Sequence, residues 1–162
     1  FYNGYLPAAT LGLNGAVSSQ GLILDAWGNP IRYAVSKWSS TTPNVPYVFT
    51  ATSGAGMSQV GIAGLTPNLL VCSTAPANNA SSCTTGTALT PNNTPAIIFS
   101  TGKNGSGTGA DESNNSTNNN NAIFVSHLPA PSSSSNGEFD DIVVWLSTSV
   151  LVNRMVAAGQ LP

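Results

Sequence analysis

Four of the six acidic side chains in this 162-residue sequence fall in two adjacent pairs, Asp111-Glu112 and Asp140-Asp141, flanking a stretch crowded with Asn. Carboxylates joined by amide and backbone carbonyl oxygens are the hard donors that Ca²⁺ takes, roughly six to eight at a time. The same grouping also serves as a solvated turn, in which Asp side chains cap nearby backbone N–H groups. The single histidine, His127, could act as a general base only with a nucleophile in reach and an acid to orient its ring. Serines abound, yet no Gly-x-Ser-x-Gly elbow occurs. His127 is therefore read as a partly exposed residue at a strand end. No glycine-rich phosphate loop, metal-hydrolase motif or haem-attachment motif is present either. The chain is expected not to be an enzyme.

The two cysteines carry a different chemistry. Cys72 and Cys83 close a short loop made almost wholly of Ala, Asn, Ser, Thr and Pro, which cannot hold itself by packing. A disulfide there is favoured over two exposed thiols, and with it an oxidising compartment. Two cysteines and one histidine are too few for a structural zinc site without carboxylates. Charged residues make up 6% of the sequence, against an average near ~25%, and Ser, Thr, Asn and Gly stand in their place. A net charge of −2 supplies no basic patch for nucleic acid, and no apolar run approaches the ~20 residues of a membrane helix. The length suits one domain, residues 1–162, with a real core.

These residues must be positioned by short elements between long polar loops. Trp27-Gly28-Asn29-Pro30 forms a turn, with Gly28 free to take positive φ and Pro30 fixing its own. Trp27 is large enough to anchor a core. The alternation that follows places Ile31, Tyr33 and Val35 on one face of a strand, with Arg32, Ala34 and Ser36 on the other. Further strands are expected at 47–51, 69–72, 96–100, 122–127 and 138–146, with loop at 8–20 and 53–64. Residues 102–105 form a turn, and 106–121 pass for disorder by composition. The tail reads as a helix capped by Ser147, with Val150, Leu151 and Met155 on one face and Gly159 ending it. Asn3-Gly4 suits the end of a helix arriving from upstream of Phe1, where the sequence starts without Met. Arg32, Arg154, Lys37 and Lys103 are expected to face solvent or pair with acids. The layout is α+β, an antiparallel sheet with long polar loops and a short C-terminal helix.

Three stretches, in order, resemble the type II secretion pseudopilins and type IV pilin-like proteins. They are the Asp-x-Trp-Gly-Asn-Pro-x-x-Tyr segment at 25–33, the Ile-Phe-Ser-x-Gly-x-Asn-Gly segment at 98–105, and the acidic, Trp-containing segment at 138–145. The resemblance covers about 25 positions and implies the globular head of a filament subunit. Its sheet would pack on a hydrophobic N-terminal helix not contained in these residues, carried upstream or on another chain. It further implies a calcium-stapled loop drawing on Asp111, Glu112, Asp140 and Asp141, although the spacing here is wider than in the family. Expected partners are other copies of the chain or related pilins, with no nucleic acid, and with membrane reached only through the missing helix. The expected location is a filament at the cell surface or a periplasmic pseudopilus. The alternatives are a tip-located adhesin binding a surface or cargo, and a secreted carbohydrate-binding module.

Overall fold

The alternation after Pro30 does form a strand, and it lies inside a four-stranded antiparallel sheet. The computed structural model describes residues 2–37, 48–50, 56–77, 80–90, 93–105, 107–116 and 122–160. Strands β1 (Tyr2–Tyr5), β2 (Arg32–Val35), β4 (Ala96–Ser100) and β6 (Ile142–Leu146) are ordered β1-β2-β4-β6. Strands β3 (Leu70–Cys72) and β5 (Ile123–Val125) make a separate parallel pair. Among the described residues there are also four short helices: α1 (Ala8–Leu11), α2 (Gly56–Val60), α3 (Ala110–Ser116) and α4 (Thr148–Ala157). The protein is α+β.

Register decides which residues are covered. Arg32 pairs with Phe99 and Phe99 with Val143, while Ala34 pairs with Ile97 and Ile97 with Trp145. Residues directly opposite share a face of a pleated sheet, so these six lie on one side. Ala34, Ile97, Phe99 and Val143 pack there with Leu69, Val71, Ala122 and Phe124 of the parallel pair and its flanks. The Phe99 and Phe124 ring centroids are 5.3 Å apart. Burying each such aromatic is worth roughly 1.5–3 kcal/mol, so this interface is the core.

The other face is equally apolar and lies bare. Tyr33 pairs with Ile98 and Ile98 with Val144; Val35 pairs with Ala96 and Ala96 with Leu146. Ile98 is 44% exposed, Ile142 52% and Val144 61%. A groove of about 290 Å³ runs beside them, walled by Leu6, Pro7 and Leu11 and floored by side chains of β2 and β4.

Several expectations are corrected. Asn3-Gly4 ends no helix but lies in the edge strand β1, where the absence of a Cβ lets the Tyr33 ring lie against the backbone: a Cβ on Gly4 would sit 3.2 Å from the ring. Trp27 is 46% exposed at the tip of its turn and anchors no core. Residues 48–50 of the expected strand at 47–51 form a turn, and 47 and 51 lie outside the described residues. The glycine-rich stretch at 53–64 holds α2 and a 3-10 turn at Ile62–Gly64. Within the loop expected at 8–20, residues 8–11 form α1. The strand expected over 138–146 starts only at Ile142, because residues 138–141 turn to meet other segments. Arg32 is only partly exposed and is held against the protein. Its Nη1 donates to the Ser116 carbonyl (2.9 Å), and its guanidinium lies over the Phe99 and Tyr5 rings at 5.3 and 5.7 Å. Helix α4 keeps its expected cap, with Ser147 Oγ accepting from Val150 N.

The Cys72–Cys83 disulfide is present, with a Cα–Cα distance of 5.6 Å. It ties the 72–83 loop to buried β3, which is itself bridged to Ala88. Replacing both cysteines by serine is expected to lower stability by about 3 kcal/mol, read from chemical denaturation against the oxidised protein.

Candidate functional site

The turn at 25–30 begins a chain of hydrogen bonds that ends at the acidic residues. Asp25 Oδ1 accepts from Trp27 N and Asn29 N, closing the turn, with Gly28 at φ +88°. Asp25 Oδ2 accepts from Ser100 Oγ at 2.6 Å, and Asn29 Nδ2 donates to the Gly102 carbonyl at 2.7 Å. The end of β4 is thereby fixed, and with it the turn at 102–105. That turn then grips Asp140, whose Oδ2 accepts from Lys103 N and Asn104 N. Gly102 sits at φ +62°, and a Cβ there would overlap Asp140 Oδ1, so only glycine fits.

Glu112 meets Asp140 from the opposite side. It is 1% exposed, accepts from Asn104 Nδ2 at 3.0 Å on both oxygens, and its Oε1 also accepts from Asp140 N at 2.9 Å. Asp141 is buried next to it, with Oδ2 accepting from Asn115 Nδ2 at 2.8 Å. One oxygen each of Glu112, Asp140 and Asp141 lies within 4.8 Å of the others. Asp140 Oδ1 is buried and accepts no hydrogen bond. Burial raises the Glu112 carboxyl, against the hydrogen bonds from Asp140 N and Asn104, and the Asp140 charge adds to the rise. Burial pushes Asp141 up to about 7, opposed by the Asn115 hydrogen bond and by Arg32, and reinforced by the charges of Glu112 and Asp140. Three carboxyls thus converge, and the charged forms of Glu112 and Asp141 are disfavoured there.

Asp111 does not join them, which corrects the expected foursome. Neighbouring residues on a helix point roughly 100° apart, so the two acids that open α3 serve opposite sides. Asp111 Oδ1 accepts from Ala75 N (2.6 Å) and Thr74 Oγ1 (2.9 Å), and Oδ2 from Asn136 Nδ2 (3.0 Å). His127 Nε2 lies 3.1 Å from the same Oδ2. Burial alone would raise this carboxyl, but the hydrogen bonds from Ala75, Asn136, Thr74 and His127 outweigh it and hold it below the usual carboxylate value. Asp111 therefore joins the cystine loop, α3 and the 127–137 loop at one point. His127 stacks on Phe139, with centroids 3.8 Å apart, and its Nδ1 lies 2.7 Å from the Leu128 carbonyl. Both ring nitrogens thus face acceptors, and among the described residues neither is hydrogen-bonded to a serine hydroxyl, as a base beside a nucleophile would be.

Sequence reasoning passed over the amides. Asn104, Asn115 and Asn136 hold Glu112, Asp141 and Asp111 respectively, and Asn115 also pins β5 through Val125 N and O. The one local signal was Asn104 inside a Gly-x-Asn-Gly turn.

No family model matches this chain, no curated protein matches it, and no solved structure matches it.

The raised Asp141 carboxyl carries a pH dependence of definite sign. Between its ordinary value of 3.8 and about 7, the metal-free folded protein holds a proton that the unfolded chain has released. Stability is then expected to fall as pH rises across that window, with Glu112 acting in the same direction. Denaturant unfolding of metal-free protein at several pH values measures the slope, and Asp141→Asn is expected to flatten it.

Proposed function

We propose that this chain is the globular head of a type IV pilin-like or pseudopilin subunit, a structural component of an extracellular or periplasmic filament. The observation that carries the reading is the bare apolar face of the four-stranded sheet. Soluble domains rarely leave a contiguous apolar surface uncovered unless something binds it. A long helix laid across Tyr33, Ile98, Ile142 and Val144, beside the groove walled by Leu6, Pro7 and Leu11, would cover it. An amphipathic helix preceding this domain, on the same polypeptide or another chain, is the occupant we assign. Other copies of the subunit are then its partners, and nucleic acid is not. Further support comes from the three stretches that resemble the family, which meet in space: Asp25 and Asn29 bind Ser100 and Gly102, and the 102–105 turn binds Asp140.

Calcium belongs to the same reading. The donor chemistry of Glu112, Asp140 and Asp141 fits a hard divalent cation, and the orphaned Asp140 Oδ1 is the atom such an ion would satisfy. A bound cation would neutralise the mutual repulsion of the three carboxyls and staple the 102–105 turn and α3 to the start of β6.

Assembly tests the main proposal. Ile98→Lys with Val144→Glu, at exposed positions directly opposite each other on β4 and β6, is expected to leave the isolated head folded at a cost of about 1 kcal/mol or less, because the opposite charges offset part of the lost strand propensity. In the full gene product, including whatever the preceding codons encode, it is expected to abolish filaments seen by electron microscopy. Normal filaments from the double variant would sink the reading. A separate measurement addresses the cation. Ca²⁺ at about 100 times its Kd is expected to stabilise the head by about 2.7 kcal/mol, seen as a rise in Tm that chelator reverses. Asp140→Asn is expected to remove that rise.

A further inference from the structure

On the side of the molecule formed by α3 and the 127–137 loop lies a second concavity, lined by polar side chains and glycine backbone. It is a cleft of about 510 Å³, within the size range of small-molecule sites. One wall is the approach to α3, residues 107–110, with Asn104 and Glu112 behind it, and the other is the segment 132–138. Glu112 is already spent on Asn104 Nδ2 and Asp140 N. The walls are locked together at their base. Ala110 N donates to the Asn136 carbonyl at 3.0 Å, and Asn136 Nδ2 reaches Thr74 Oγ1 and Asp111. Gly109 and Gly137 touch backbone to backbone: a Cβ on Gly137 would lie 2.7 Å from Gly109 Cα, and one on Gly109 would overlap the Asn136 carbonyl oxygen. The cleft is therefore formed before any ligand arrives, which lowers the ordering cost of binding.

Its lining selects a ligand by exclusion. No Lys, Arg or His lines it, so an anion finds no counter-charge. The largest apolar side chain there is Ala110, and the rest of the carbon surface is glycine backbone and the stems of polar side chains, so a bulky hydrophobic ligand finds no apolar pocket to fill. What it offers are the hydroxyls of Thr108, Ser132 and Ser135, the Glu138 carboxylate, and backbone laid open by glycines. Among the described residues, none of those four side chains spends its hydrogen bonds within the protein. A rigid array of donors and acceptors, interleaved with small patches of carbon surface and free of basic side chains, matches a ligand that itself alternates hydroxyls with C–H groups. We propose that this cleft binds a neutral sugar, taking one or two residues of a glycan. The proposal stands independently of the filament reading, because a head presents this cleft whether or not its sheet face is covered.

Amide chemical-shift titration of the folded domain tests it, in chelator so that calcium plays no part. The probes are the methyl glycosides of glucose, galactose and N-acetylglucosamine, with glucuronic acid and spermidine as charged controls. Saturable shifts confined to residues 107–110 and 132–138 with at least one neutral glycoside are expected. Ser135→Trp, at an exposed loop position, is expected to fill the cleft and weaken that binding by about tenfold or more, a loss of about 1.4 kcal/mol. Glu138→Gln is expected to leave the fold intact and weaken it less. Unchanged sheet amides in both variants establish that they are folded. The proposal is overturned by absence of saturable shifts with all three neutral glycosides. It is likewise overturned by binding that survives Ser135→Trp, or by shifts with spermidine or glucuronic acid alone.

Discussion

A sheet that is apolar on both faces has to be covered twice, and this chain covers its sheet once. Phe99, Ile97, Ala34 and Val143 are shut against the parallel pair β3 and β5, while Ile98, Ile142 and Val144 stand in water. An antiparallel sheet can tolerate one wet face when that face alternates to polar residues. Here the row from Tyr33 through Ile98 to Val144 is apolar throughout. The constraint is a length-two periodicity applied to strands β2, β4 and β6, which are apolar at nearly every position, Arg32 and Ser100 excepted. It closes one side of the sheet and leaves apolar side chains exposed on the other.

Polar organisation sits at the end of the sheet where β4 finishes and β6 begins, and it depends on the two acids that open α3. Because Asp111 and Glu112 point apart, a single helical turn serves two networks. Asp111 gathers the cystine loop, the 127–137 loop and His127; Glu112 gathers Asn104 and Asp140. The first network is fully satisfied and holds its carboxylate below the usual value. The second crowds three carboxyls and leaves Asp140 Oδ1 without a partner. A satisfied network fixes structure, whereas an unsatisfied one invites a proton or a cation. The disulfide belongs with the first, because it anchors the loop that presents Thr74 and Ala75 to Asp111.

What could be read in advance follows from whether the signal was local. Strand β4 was legible to the residue, since Ala96–Ser100 is a β-branched and aromatic run ended by glycines. Helix α4 was legible from its cap and its terminal Gly159, which takes φ +68°. The Trp27 turn was legible too, though not the exposure of Trp27 itself, because nothing local says which side of a turn meets the core. Strand β1 was missed because Gly4 is a poor strand residue whose place depends on the Tyr33 ring across the sheet. Helix α3 was missed because Asp, Ser and Asn favour caps and turns over helix interiors. Tertiary hydrogen bonds from Asp111, Glu112, Asn114 and Asn115 override that preference. The acidic residues could be singled out from the sequence as types. Their division into three and one required the helix that composition concealed.

The scarcity of charge follows the same economy of local bonds. His127 Nε2 lies 3.1 Å from Asp111 Oδ2, and the long loops are held largely by amides and hydroxyls bound to backbone. Asn29 holds Gly102, Ser36 holds Asn68, Asn114 holds Ile123, and Asn115 holds Val125. A neutral amide closing on a peptide group satisfies a buried donor or acceptor without the desolvation cost of a charge. It also leaves the surface with little long-range repulsion, so like surfaces can approach one another at short range. An uncharged surface and a bare apolar sheet face are complementary under the filament proposal: the first would permit close packing between copies, and the second would supply the contact.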